Sequence, residues 1–371
     1  MKVIIAAAGT GGHINPGIAI ANKIQEEEKS EIIFIGTDRG IEKDLVPRAG
    51  YKLKTIEAYG LSKKINMTNI KHTIKTIKSV KKAKQIIEDF KPDIVIGTGG
   101  YICGPVLTAA RKCHIPTALH ESNSFPGLAV KILAKKTDVV FVGFKEAKEN
   151  LKNAKKVVVT GTPTKIKKLK INDMEKYFLK EKLELDPELP VVLVFGGSQG
   201  AKKINDAMVE LIKNEQILNY QIIWAVGQKN YEEVRNELKQ SDLDIGKIHN
   251  VNILPYIYNM EEVMNVSDLL ICRSGAITIT EIAKLGKPAI FIPLPNVSQN
   301  HQEKNARVLE KIGAARIVLN NDVTAEKLKQ EINSVITDKD LLKQMGEKAN
   351  SINIDDVEDR IYTEIKKCTQ K

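Results

Sequence analysis

Short, unbroken apolar runs recur along the chain, each followed by a stretch in which apolar positions fall three and four residues apart. Up to Gly161 the runs are Val3–Ala8, Ile32–Ile35, Ile94–Ile96, Thr117–Leu119, Val139–Val142 and Val157–Thr160. Runs without polar alternation predict strands buried on both faces, and the helical stretches between them are the crossovers that parallel strands require. From Thr162 to Leu185 the composition turns polar and lysine-rich and ends in Asp186-Pro187-Glu188-Leu189-Pro190. The pattern restarts at Val191 and continues through Ile222–Ala225, Ile253–Tyr256, Leu269–Cys272, Ala289–Ile292 and Arg316–Leu319. The second half therefore repeats the first. The expected fold class is α/β, with two doubly wound, Rossmann-like parallel-sheet domains whose carboxyl ends face a central cleft, a geometry suited to a two-substrate enzyme.

Three of the runs end in glycine-rich turns: Gly9-Thr10-Gly11-Gly12-His13, Gly97-Thr98-Gly99-Gly100-Tyr101 and Gly196-Gly197-Ser198-Gln199-Gly200. Glycines at a strand-to-helix turn let bare backbone amides approach a phosphate, and the following helix aims its positive dipole end at the same place. A single such loop could serve close packing alone; three of one kind point to pyrophosphate binding. A nicotinamide cofactor is disfavoured, because a third glycine is due three positions after Gly11 and Ile14 stands there. A P-loop is disfavoured too, since the turn at Gly196 continues as Ala201-Lys202-Lys203 rather than Gly-Lys-Ser/Thr.

The length of 371 residues, with 42% hydrophobic and 28% charged residues, suits two globular cores and excludes gross disorder. No apolar stretch approaches the roughly 18 residues of a membrane span, and the chain runs from Met1 straight into a strand, so it is expected to stay in the cytosol. Cys103, Cys113, Cys272 and Cys368 are scattered without metal-ligand spacing and read as reduced, mostly buried thiols. The net charge of +11 calls for an acidic partner. Its location matters: Ser62 to Lys84 holds eight lysines and no acid, with Ile70, Ile74, Ile77 and Val80 at helical spacing and Ile65 and Met67 just upstream. This predicts a basic amphipathic helix, with Lys71, Lys75 and Lys78 among its cations, that docks on an anionic lipid surface rather than a merely solvated face. Nucleic acid is disfavoured because the segment lacks interleaved aromatics.

In the second half, Arg273-Ser274-Gly275-Ala276 leads from a strand into a helix, with Ser274 the expected N-cap, Glu281 on the second turn and Gly286 with Pro288 as the stop. A Pro293-Leu294-Pro295 loop and a helix opening at His301-Gln302 follow. Glu281 could accept two ribose hydroxyls, or simply be solvated, and Gln302 could read sugar hydroxyls through its mixed donor and acceptor amide.

Together, Gly9 to Pro16, the Gly97 to Pro105 loop, His120-Glu121-Ser122-Asn123, Gly127-Leu128, Gly196 to Ala201, Arg273 to Glu281, and His301-Gln302 with Asn305-Ala306 resemble the motifs of the MurG family, in the family's order and over nearly the whole chain. These transferases add N-acetylglucosamine to undecaprenyl-pyrophosphoryl-N-acetylmuramoyl-pentapeptide, the lipid I to lipid II step of peptidoglycan synthesis, on which cell shape and division depend. The resemblance implies a GT-B fold, with an acceptor and membrane-docking domain at 1–163, a donor domain at 164–349, and a final helix within 350–371 that packs back on the first domain. It implies that UDP-N-acetylglucosamine contacts Ser198, Ile257 at the uracil, Ala276, Ile277 and Thr278 at the phosphates, Glu281 at the ribose, and His301 and Gln302 at the sugar. Thr10, Gly11, Gly12, His13, Asn123 and Lys165 complete the expected donor contacts. The acceptor pyrophosphate is expected at Gly11, Gly12 and His13, with Gly99, Gly100, Tyr101 and Asn123 nearby.

What the resemblance implies chemically is an inverting, in-line displacement by the C4 hydroxyl of the muramoyl sugar on α-linked UDP-N-acetylglucosamine, giving a β-1,4 linkage without a metal cofactor. His13 is the candidate base because it titrates near neutral pH at the acceptor loop, with phosphate binding as its alternative role; Glu121 is the reserve. The implied location is the cytoplasmic face of the cell membrane, with lipid I, the anionic surface and other cell-wall synthesis proteins as partners. Departures from the family pattern are Thr162-Pro163-Thr164-Lys165 where Asn-Pro-Val-Arg is usual, Ser122 where Gln is common, and Ile102-Cys103 in place of Val-Ser. Lys165 would thus offer a point charge instead of a bidentate arginine. Asp242-Leu243-Asp244 and Asp338-Lys339-Asp340 mimic a metal-binding DxD, but both lie in polar, helix-like or loop stretches and read as chance matches. The rival readings are a transferase of the same fold acting on diacylglycerol, a UDP-sugar 2-epimerase, and a catalytically silent membrane-docking subunit.

Overall fold

The computed structural model describes residues 1–59, 67–197, 200–214, 219–241, 243, 248, 250–297 and 300–370, with the side chains of 67–74 and 77 outside the description. It divides into two units, one formed by Met1–Lys165 together with the chain from Ile354 onward, the other by Ile166–Asn353. The first unit runs β1 (Lys2–Ala7), α1 (Gly11–Glu27), β2 (Glu31–Gly36), α2 (Glu42–Arg48), β3 (Lys52–Thr55), α3 (Met67–Phe90), β4 (Ile94–Gly99), α4 (Cys103–Lys112), β5 (Thr117–Glu121), α5 (Leu128–Ala134), β6 (Val139–Val142), α6 (Lys145–Glu149) and β7 (Val157–Val159). The second runs α7 (Asp173–Lys182), β8 (Val191–Phe195), α8 (Lys202–Asn214), β9 (Gln221–Ala225), α9 (Tyr231–Lys239), β10 (Val251–Leu254), α10 (Met260–Val266), β11 (Leu269–Cys272), α11 (Ala276–Leu285), β12 (Ala289–Phe291), α12 (His301–Lys311), β13 (Ala315–Ile317), α13 (Ala325–Ile336) and α14 (Lys339–Asn350). The chain then returns to the first unit as α15 (Val357–Thr369).

Among the described residues the first sheet has the order β3-β2-β1-β4-β5-β6-β7 and the second β10-β9-β8-β11-β12-β13, with every pairing parallel. Both faces of β1 are buried: Ile4 and Ala6 enter one core with Ala83, Ile87 and Leu107, and Val3, Ile5 and Ala7 enter the other with Ile14, Phe34 and Ile361. That double burial is why the strands read as unbroken apolar runs. In each sheet the strand order reverses beside the first strand of its unit, between β1 and β4 and between β8 and β11. Ligands of open α/β sheets bind at the carboxyl ends beside such reversals, and all three glycine turns lie there.

Several expectations need correction. β3 went unseen because Lys52-Leu53-Lys54-Thr55 is an edge strand with alternately exposed and half-buried residues, so it lacks an apolar run. The polar stretch after Thr162, for which no element was expected, contains α7, started by a capping box in which the Asn172 side chain accepts the Glu175 amide and the Glu175 carboxylate accepts the Asn172 amide. Asp338 is the N-cap of α14, accepting the Leu341 amide at 2.9 Å, while Asp242 and Asp244 lie outside the described residues. Cys103 and Cys272 are buried, and Cys113 and Cys368 are only partly so.

The helix expected from the lysine-rich segment is α3. Ala83 and Ile87 are buried, Val80, Ile86 and Phe90 pack against the same core, and Lys75, Lys78, Lys81 and Lys82 are exposed. Its charge is partly compensated from outside the acid-free stretch: Lys75 bridges to Glu57 at 2.8 Å and Lys84 to Glu88 at 3.3 Å. Ile65 and the side chains of Met67, Ile70, Lys71, Ile74 and Ile77 lie outside the described residues. Among the described residues no helix is long and apolar enough to cross a membrane.

α15 lies along α1 and buries Val357, Ile361 and Ile365, one residue per helical turn. Around that stripe Lys366 and the Tyr362 hydroxyl both reach Glu28 at 2.9 Å, and Lys23 bridges Asp359 at 2.5 Å.

Candidate functional site

At the first reversal the chain leaves β1 through Ala8, Gly9 and Thr10 and enters α1. Gly9 has φ +101°, a conformation that suits glycine. Thr10 is the N-cap in extended geometry but makes no side-chain capping bond, which leaves the first-turn amides without the usual N-cap partner, an arrangement suited to an anion. His13, in the same turn, donates Nδ1–H to the Ala8 carbonyl at 3.1 Å, which places the neutral ring's lone pair on Nε2. The Thr98 hydroxyl donates to the His13 carbonyl at 2.8 Å and ties α1 to the end of β4.

The second glycine turn closes over the same histidine. Gly99 (φ +128°) lies against the imidazole so closely that a Cβ there would sit 2.3 Å from His13 Cδ2, and one on Gly100 (φ +81°) would sit 2.3 Å from the Ala8 oxygen. Below the turn the buried Cys103 thiol accepts the Gly99 amide at 3.3 Å and lies 3.2 Å from the Gly99 carbonyl. Burial pushes this thiol up to about 12, so it stays protonated and fills the place of a small hydroxyl. Tyr101 lies half-buried just beyond.

Glu121 and Asn123 occupy the neighbouring end of β5. The Glu121 carboxylate is buried and accepts the Asn123 amide and side-chain nitrogen, both at 2.9 Å, and the Gly127 amide at 3.2 Å. The reserve base is thus engaged in holding the Asn123–Gly127 loop. His120 is buried with Nε2 3.3 Å from the Gly161 carbonyl and Nδ1 3.4 Å from the Ser122 hydroxyl; burial lowers its pKa to about 4, so it is neutral. Lys165 is exposed where the first unit ends.

One buried acid escaped the sequence reading. Glu42, at the start of α2, is fully buried and accepts the Gly9 amide at 3.1 Å through one carboxylate oxygen, and the Thr37 amide and hydroxyl at 3.0 and 2.6 Å through the other. Burial alone would raise its pKa, but these bonds outweigh it and hold the carboxyl below its ordinary value. The signal was present: an acid after β2, flanked by Gly36 and Gly40, where a Cβ would fall 2.8 Å from Glu42 Cγ and 2.0 Å from its Oε2.

In the second unit β8 leads through Gly196 and Gly197 (φ +89°) to Gly200 (φ +74°) and α8; Ser198 lies outside the described residues. A Cβ on Gly200 would sit 2.1 Å from the Val226 carbonyl. That carbonyl accepts from buried Asn205, whose side-chain oxygen accepts the Trp224 indole N–H, so the turn is braced from the core.

β11 delivers Arg273 to Gly275 at the same reversal. Gly275, not Ser274, is the N-cap of α11, and it has no side chain to cover the first-turn amides. Ser274 is fully buried and donates instead to the Gln302 carbonyl at 2.8 Å, tying α11 to α12. Ala276 and the half-buried Ile277 and Thr278 form the first turn, Glu281 follows half-buried, and Gly286 closes the helix in left-handed geometry. Ile257 is buried in the segment after β10. Arg273 donates to the Ile292 and Pro293 carbonyls and to Asn320 at 2.8–3.2 Å, holding the proline loop. His301 and Gln302 open α12, and the Gln302 carboxamide oxygen accepts the Leu294 amide at 2.9 Å, so it braces this loop. A cavity of about 440 Å³ lies beside the loop, lined by Pro293–Val297, Asn300, Glu303 and Leu319–Asn321.

Comparisons with known proteins match this arrangement. Residues 3–142 match the glycosyltransferase family 28 N-terminal domain, and residues 191–361 its C-terminal domain. The UDP-N-acetylglucosamine–N-acetylmuramyl-(pentapeptide) pyrophosphoryl-undecaprenol N-acetylglucosamine transferase of Acetivibrio thermocellus is 43% identical over 99% of this chain and 98% of its own length. The crystal structure of Acinetobacter baumannii MurG is similar with a TM-score of 0.78 at 28% identity, covering 99% of each chain. UDP-GlcNAc 2-epimerase from Neisseria meningitidis, bound to UDP-GlcNAc, shares the fold at 16% identity and a TM-score of 0.66, over 99% of this chain and 100% of its own. With both domain types matched in order and similarity that runs from end to end, this chain belongs to glycosyltransferase family 28 and, within it, to the MurG family.

Proposed function

We propose that this protein transfers N-acetylglucosamine from UDP-N-acetylglucosamine to the C4 hydroxyl of N-acetylmuramoyl-pentapeptide-pyrophosphoryl-undecaprenol, forming a β-1,4 linkage with inversion and releasing UDP. The observation that carries this reading is the similarity to such transferases along the whole chain, through the His13 turn of one unit and the Gly275 turn of the other alike. The epimerases share only the fold, and nothing favours a diacylglycerol acceptor.

In this reading the second unit holds the donor. The positive ends of α8 and α11 stabilise the negative charge that develops on the departing UDP, and Glu281 accepts the ribose hydroxyls. The Gln302 carboxamide oxygen is engaged with Leu294, so its nitrogen is the group that addresses the sugar. The first unit holds the acceptor pyrophosphate against the amides of Gly11 and Gly12. His13 takes the hydroxyl proton through Nε2, whose lone pair the Ala8 hydrogen bond secures. The transfer needs no resident metal.

The test is transfer of radiolabelled N-acetylglucosamine to a short-chain lipid I analogue in EDTA, with diacylglycerol and no-acceptor controls. Incorporation into the lipid I analogue alone supports the proposal; label in diacylglycerol, or epimerisation without acceptor, overturns it. We further propose that the lysine face of α3 docks the first unit on the anionic cytoplasmic face of the membrane. At roughly 1 kcal/mol per lysine, the triple exchange Lys78→Glu, Lys81→Glu and Lys82→Glu should weaken co-sedimentation with anionic vesicles by a hundredfold or more.

A further inference from the structure

The Ala8–Gly9 peptide is hydrogen-bonded on both sides. Its carbonyl accepts His13 Nδ1–H at 3.1 Å, and its amide donates to Glu42 Oε2 at 3.1 Å. The bond is trans, so the two groups point in opposite directions and the peptide lies between ring and carboxylate. We propose that Glu42 is a positioning residue for His13, acting through the Ala8–Gly9 peptide to fix the Nδ1–H tautomer and raise the basicity of Nε2. This inference rests on the reading of His13 as the base.

The physical argument has three parts. A carboxylate on a peptide N–H polarises the unit, so its carbonyl becomes a stronger acceptor for Nδ1–H. Glu42 is held in place by the Thr37 amide and hydroxyl and carries its charge in a fully buried position. The geometry is also built around this peptide: a side chain on Gly100 would strike the Ala8 oxygen, one on Gly99 the imidazole, and one on Gly40 the Glu42 carboxylate. Three glycines on two separate loops thus make room for a single chain of hydrogen bonds, Glu42 to peptide to His13.

The charged groups around α1 leave Glu42 as the one to address. His120 on β5 is buried and kept neutral by desolvation, so it brings no charge to the ring. Glu121 is engaged in its own loop, and Cys103 on α4 stays protonated. On α2, Lys43, Asp44 and Arg48 are exposed. On α15, Asp359 and Lys366 pair with Lys23 and Glu28 toward the other end of α1. Two bonds of 3.1 Å and one peptide unit put the carboxylate within roughly 8 Å of the ring. At an effective dielectric of about 20 a unit charge at that distance favours the protonated ring by about 2 kcal/mol, or about 1.5 pH units.

The experiment is Glu42→Gln, read by ¹⁵N NMR of the His13 ring and by the pH profile of kcat/KM. The expected result is a His13 pKa lower by about 1.5 units, an acid limb displaced equally toward low pH, and a kcat reduced tenfold or more. A less active E42Q whose His13 titration and acid limb stay in place would show that Glu42 merely holds the loop, and would overturn the proposal. The unsubstituted protein provides a test independent of how the variant folds. Its His13 should carry the proton on Nδ1 and its Gly9 amide proton should move as His13 titrates; a Gly9 amide indifferent to that titration overturns the relay. His13→Gln separates the two readings: an acid limb that persists in this variant removes His13 as the base, whereas the NMR titrations judge the relay alone.

Discussion

Gly99→Ala is the most searching single substitution in the first unit, because one added carbon acts on the candidate base and on little else. The new Cβ would lie 2.3 Å from His13 Cδ2 and 2.8 Å from Cγ. Ordinary contact begins near 3.4 Å, so the imidazole must retreat by about 1 Å. A ring displaced that far loses its 3.1 Å bond to Ala8, at about 1 kcal/mol, and alanine at φ +128° adds about 1–3 kcal/mol of backbone strain. Stability should therefore fall by about 2–4 kcal/mol, read as the midpoint of urea unfolding. The kinetic effect should be the larger in relative terms. A misplacement of about 1 Å costs about a hundredfold in rate, or about 2.7 kcal/mol of activation free energy. The assay is steady-state transfer of N-acetylglucosamine with both substrates varied. Because Gly99 lies in the first unit and the α8 and α11 turns proposed to hold the UDP diphosphate lie in the second, kcat should fall about a hundredfold with a much smaller change in KM for UDP-N-acetylglucosamine. Wild-type kcat in G99A would refute the role given to the His13 ring position, and a loss confined to donor KM would refute the division of substrates between the units.

His120 has its pKa lowered to about 4 by burial, against 6.5 when unfolded, so the unfolded chain binds the extra proton between those values and stability falls as pH drops through that window. The loss should approach about 3 kcal/mol by pH 4, and His120→Asn should flatten that part of the unfolding free energy measured against pH. Asn205→Ala leaves the Trp224 indole N–H and the Val226 carbonyl without this partner in the core, at about 2–4 kcal/mol in chemical denaturation. Ile361→Ala opens a cavity under α15 and should cost about 2–5 kcal/mol, with faster proteolysis within α15 as the independent sign.

The sheets were legible because parallel strands covered on both faces leave apolar runs that little else in a chain imitates, and β1, β4, β6, β8 and β11 all lie where those runs stand. β3 lies at an edge and carries two exposed lysines, so the same criterion could not find it. α7 was legible by a different signal: Asn172 followed three residues later by Glu175 is a helix start, masked by the polar composition around it. The glycine turns were readable because glycines at the ends of apolar runs mark strand-to-helix turns, and the structure places all three at the strand-order reversals. Which side chains brace those turns was not. Ser274 looks like a cap in sequence, yet the glycine after it takes that place and the serine hydroxyl turns to α12. Glu42 lies 33 residues from the amide it accepts, a separation no local pattern encodes. Glu121 looked like a spare base until its three donors were visible.

The return of α15 to the first unit sets an order of events during synthesis. A ribosome adding about 5–20 residues per second needs roughly 10–40 s to make the whole second unit after Lys165 and before Ile354. Throughout that interval the face of α1 and its sheet that will receive Val357, Ile361 and Ile365 is already made but uncovered, and Glu28 waits for Lys366. The second unit, whose residues are contiguous, can reach its native state first. The unit that begins the chain is therefore the last to be finished, and a nascent chain stalled before α15 would present an apolar groove to the chaperones around it.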